Sequence, residues 1–133
     1  AARGTGCSRA VVEMVKKVVV VASESLWHGH FVTVAQHRED VGRGRIYNHS
    51  QYVWDMKVIE MMREGKMKEV IGILPEMIEQ TMAEAEGGGL TWMMAAMGMP
   101  DYPAEIYGYQ SVIGTGNVIA AWDPNSSTRA IVL

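Results

Sequence analysis

The chain has 133 residues, with 12 Lys and Arg against 15 Asp and Glu and a formal charge of -3. Such a length supports one domain, 1–133, around one core. The acidic balance, with no cluster of basic residues, excludes a surface built against nucleic-acid or lipid phosphates. Cys7 is the sole cysteine, so no internal disulfide forms, and no apolar run approaches a bilayer span. No charged-then-apolar signal segment opens the chain, and the expected setting is the cytoplasm. The opening "AARGTGCSRA" reads as the continuation of something longer. Eleven Met against one Phe suit adaptable packing and contact with partners.

In chain order, Ser8 is placed to cap a short helix through Lys17, with Ala10, Val11, Met14 and Val15 facing one side. Val18–Ala22 is continuously apolar and rich in β-branched residues. That pattern predicts an inner strand covered on both faces. Residues just beyond such a strand lie where open α/β sheets place their ligands, and Ser23 to His30 follows it directly. From Val32 to Ser50 the chain is polar with no sustained period, which predicts a long loop.

Gln51 to Glu64 predicts a helix, with Tyr52, Met56, Ile59 and Met62 or Arg63 on successive turns and Gly65 as its stop. Met67 to Leu74 predicts a second, short helix. Pro75 suits the first turn of a third, with Met77, Ile78, Thr81, Met82 and Ala85 on one side and Glu76, Glu79, Glu84 and Glu86 on the solvated side. Gly87-Gly88-Gly89 interrupts it, and "LTWMMAAM", Leu90 to Met97, predicts a buried helix closed by Gly98 and Pro100. Glu105 to Ile113 and Asn117 to Trp122 predict two strands around a Gly114-Thr115-Gly116 turn. That turn lacks the following helix and the lysine of a phosphate loop. The fold class is therefore α/β, a partial mixed sheet of one buried strand plus a C-terminal hairpin, packed with four to five helices.

The chemistry centres on His28-Gly29-His30. Two imidazoles one residue apart can share a cation, with His37, His49 or Glu24 as a third donor, yet no established metal-ligand spacing accompanies them. Alternatively His28 is a general acid/base, titrating near neutrality at the ligand edge of the sheet, with Ser25 or Glu24 orienting its second nitrogen. The bland alternative is an ordinary polar loop that contains histidines. Neither Ser23 nor Ser25 lies in a GxSxG elbow, so a serine hydrolase is set aside. The Met residues from Met56 to Met97 read as core and interface.

The ordered segments "KKVVVVASESLWHGH", "YVWDMKVIEMMREGKMKEVIGILPEMIEQTMAEAEGGGLTWMMAAMG" and "EIYGYQSVIGTGNVIAAW" resemble the C-terminal half of the class III extradiol ring-cleavage dioxygenases, protocatechuate 4,5-dioxygenase beta-subunit type. The likeness runs from about Ser8 to Trp122, and the 2-aminophenol 1,6-dioxygenase branch has near counterparts of "TWMMAAMG" and "GYQSVIGTGN". The resemblance implies a non-haem Fe(II) enzyme acting on a catechol- or aminophenol-type aromatic with O2, in a homo- or hetero-oligomer with a dioxygenase subunit. Family enzymes hold iron by two His and one carboxylate, leaving positions open for substrate and O2. The family's acid/base histidine falls on His28, and Ser25 and His30 then lie on the substrate side.

Two departures accompany the likeness. Both iron-binding histidines of the family belong to an N-terminal half absent from this chain. The ligand carboxylate belongs at the start of the buried helix, where the resemblance places Gly89. Glu86, three residues earlier, or Glu84 is the substitute; otherwise the chain resembles the non-catalytic alpha-type subunits, in which no metal is bound.

Overall fold

The computed structural model describes residues 18–28, 49–81, 83, 87–112 and 115–125. The expected helix from Ser8 to Lys17, residues 32–48 of the expected loop and residues Glu84 to Glu86 lie outside them. Within them, α1 (His49–Arg63), α2 (Met67–Thr81) and α3 (Gly88–Ala96) pack with strands β1 (Trp27–His28), β2 (Glu105–Val112) and β3 (Thr115–Ala121). The α/β class and the partial sheet with a C-terminal hairpin are as the sequence indicates. Among the described residues there are three helices where four to five were expected.

The buried stripe of α1 is Gln51, Trp54, Asp55, Val58, Ile59 and Met62, one face at helical spacing. Two members of that face are polar, so it lies turned from the expected Tyr52 and Met56, both half-buried. Gln51 Nε2 donates to Thr81 O at 3.0 Å and Trp54 Nε1 to Gln80 Oε1 at 2.9 Å, binding α1 to the end of α2. The helix ends in a Schellman motif: Gly65 N donates to Met62 O and Lys66 N to Met61 O, with Gly65 at φ 75°.

Residues 67–81 form one helix, correcting the expectation of a break at Pro75. A proline inside a helix removes a hydrogen bond and crowds the preceding turn. The buried face Met67, Val70, Leu74, Met77 and Thr81 runs unbroken past it, while Pro75 itself is exposed. Burial of several side chains, each contributing roughly 1.5–3 kcal/mol, outweighs one local penalty of about 3 kcal/mol. Met62, Met67, Met77 and Met94 are fully buried and belong to the core, whereas Met56, Met61, Met93 and Met97 are half-buried.

The sheet has the order β1-β3-β2 and both pairings are antiparallel, not mixed. The hairpin register pairs Val112 with Thr115, so two residues separate the strands, and Gly116 lies within β3 rather than in the turn. A bulge sits between Ile106 and Gly108. Val18–Ala22 is not a strand, correcting the expectation of an inner, buried one: Val19 and Val21 are 85% and 74% exposed. β-branched composition favours extended backbone, but a strand also needs neighbours to take its N–H and C=O groups. Pairing with β3 begins only at Leu26, whose N–H donates to Gly116 O at 2.7 Å.

Candidate functional site

Residues 24, 25 and 26 are each tied to a different part of the fold. Glu24 Oε2 accepts the Leu90 N–H at 2.9 Å, at the first turn of α3. That turn has unpaired N–H groups, and Gly87 before it offers no side-chain cap. Ser25 Oγ donates to Asn117 Oδ1 at 3.0 Å, and Asn117 Nδ2 in turn donates to Thr115 Oγ1 at 2.8 Å. Leu26 joins β3 through its backbone. The segment thereby delivers His28 to the sheet opposite Thr115.

Beside this segment lies a cavity of about 890 Å³, lined among others by Val20, Glu24, Ser25, Met93, Tyr102 and Trp122. Its walls are largely apolar, with a few polar groups that include Glu24 and Ser25, the composition of a small-molecule site. Burial pushes the Tyr102 phenol above its ordinary value, helped by Asp123 and Asp101. The Trp122 Nε1 is buried with no hydrogen-bond partner among the described residues. Sequence reasoning missed Asn117, Trp122 and the Glu24–Leu90 contact. Asn117 stood in the "GTGN" stretch, but the other two depend on contacts across the fold that no local spacing records.

Of the expected site residues, the structure brings Ser25 to the cavity wall and the His28 backbone to the sheet three residues on. The His28 side chain, His30, His37, Glu84 and Glu86 lie outside the described residues. His49 opens α1 on the exposed surface, its ring 6.4 Å from that of Tyr52. Gly89 brings no donor atom, and the carboxyl group that lies against it, that of Glu24, is engaged by Leu90. Among the described residues no three His, Cys, Asp or Glu come together as a metal site. The described residues therefore do not fit an iron centre by themselves. Also among them, no helix is long and apolar enough to cross a membrane.

Comparison with known proteins supplies the relationship. The family described as "Catalytic LigB subunit of aromatic ring-opening dioxygenase" matches residues 4–121. The 2-aminophenol 1,6-dioxygenase beta subunit of Pseudomonas sp is 42% identical over 120 residues, covering 90% of this chain. Only 39% of that relative is matched, so the chain spans about two fifths of its length. A family match over most of the chain, with a 42% identical relative covering 90% of it, places this chain in the LigB family of aromatic ring-opening dioxygenases.

Proposed function

We propose that the chain is a subunit or fragment of a non-haem Fe(II) extradiol dioxygenase that opens catechol- or aminophenol-type rings with O2. The 42% identity to a 2-aminophenol 1,6-dioxygenase subunit carries this reading. His28 acts as the proton-transfer group, since a neutral imidazole accepts a ring hydroxyl proton near pH 7 and returns it to the opened product. Ser25 and His30 contact the substrate on the same side. The iron ligands come from residues outside those described, in the same polypeptide or in another dioxygenase subunit.

A second reading is favoured by one observation, the absence of a donor at Gly89. In it the chain is a metal-free, dioxygenase-like subunit that stabilises or regulates a catalytic partner. The two readings separate on the full-length protein purified with any polypeptide that accompanies it. O2 uptake on 2-aminophenol or catechol that needs this chain and is lost in His28→Ala supports the first. Activity of the partner that survives His28→Ala but weakens when this chain is left out supports the second. An assembly with no ring-opening activity on either class of substrate overturns both.

A further inference from the structure

Glu24 and Gly89 meet at the first turn of α3 although they are distant in sequence. A methyl group added at Gly89 would collide with the Glu24 carboxyl group, 2.9 Å from its carbon and 3.1 Å from Glu24 Cβ. The Gly89 backbone is helical and does not lie in the left-handed region, so nothing in its own conformation calls for glycine. Glycine inside a helix is less stable than alanine there. What requires the missing side chain is the occupant of its space.

We propose that Glu24 and Gly89 are one coupled unit and that Glu24 is a positioning residue. Its carboxyl group fills the side-chain space of residue 89, caps α3 through Leu90 N, and clamps the segment leading to His28 onto the first turn of α3. The carboxyl group at this end of the cavity thus comes from the segment before β1 and not from the helix. While Glu24 is seated, residue 89 has no room for a side chain. The proposal rests on the dioxygenase reading only in treating that segment as catalytic.

A double-mutant cycle on the full chain tests the coupling. In the Glu24→Ala background, Gly89→Ala should raise the thermal midpoint by roughly 4 °C, the usual benefit of alanine in a helix. In the native background the same substitution should leave the midpoint unchanged or lower it, because the methyl group evicts the carboxyl group. Glu24→Gln keeps both the volume and an acceptor, so Gly89→Ala in that background should behave as in the native chain. It also keeps the cycle informative if Glu24→Ala does not fold. Amide exchange at Leu90 and Leu26 should speed up by roughly tenfold in Glu24→Ala and be restored in Glu24→Gln. An equal gain from Gly89→Ala in all backgrounds, or unchanged exchange at both amides, would overturn the coupling. Ring-opening activity plays no part in this readout, so failure of the dioxygenase reading is told apart from failure of the clamp.

Discussion

Tyr109 on β2 donates its hydroxyl to Asp55 Oδ2 on α1 at 2.5 Å, joining the hairpin to the first helix through a fully buried carboxyl group. The Tyr52 ring stands 6.1 Å from the Tyr109 ring, completing a small polar and aromatic joint. Burial first, then the hydrogen bond to Asp55, raise the Tyr109 phenol well above its ordinary value.

A raised phenol means that folding favours the protonated form. The stability from this joint is fully present below the unfolded value of about 10 and is lost as the pH climbs through the folded value. Thermal midpoints measured from pH 8 to the alkaline limit should fall steeply beyond about pH 10 in the native chain. Tyr109→Phe should cost about 2 kcal/mol at neutral pH, by taking a donor away from the buried Asp55 carboxyl group, and flatten the alkaline fall. An identical alkaline slope in both proteins would dismiss the joint as its source.

Pro75 should be the easiest residue to improve. It is exposed, and it interrupts the hydrogen-bond ladder of a helix that continues regardless. Pro75→Ala should add about 2 kcal/mol, the regained helix bond less the entropy that proline removes from the unfolded chain. Urea unfolding would show a higher midpoint with the same slope; a lower midpoint would mean that the helix needs the proline's geometry.

Gly65 should be among the least replaceable. Its φ is 75°, and an added Cβ would lie 2.8 Å from the Tyr102 carbonyl carbon and 3.0 Å from Asp101 O. Both are backbone atoms that cannot swing aside. Gly65→Ala should therefore cost about 2–3 kcal/mol, more than left-handed strain alone. Chemical denaturation of the purified variant measures it, and a loss below about 1 kcal/mol would show that the Tyr102 backbone yields.

These contrasts explain what was readable in the sequence. α1, α3 and the hairpin were legible because apolar spacing, Gly65, Gly98 and the Gly-rich turn act within a few residues. α2 reads as two helices because Pro75 is a strong local signal, whereas the stripe from Met67 to Thr81 takes effect only once it packs against α1. Val18–Ala22 carries a strand's composition, but pairing partners are a property of the assembled sheet. In the candidate site, the segment Ser23 to His28 was legible as polar residues after an apolar run, but Val18–Ala22 is not the inner strand that was to place it. The seat of Glu24 over Gly89 was not legible, because the carboxyl group reaches an amide 66 positions further along the chain.

The proposed role of His28 is that of the proton-transfer group of a ring-opening dioxygenase. The most direct measurement is O2 uptake with 2-aminophenol or catechol by the full-length assembly, native against His28→Ala, with aromatic binding followed in parallel by calorimetry. If His28 moves the proton, His28→Ala loses turnover by roughly 10²–10⁴-fold with binding of the aromatic retained. Unchanged turnover in His28→Ala would contradict it.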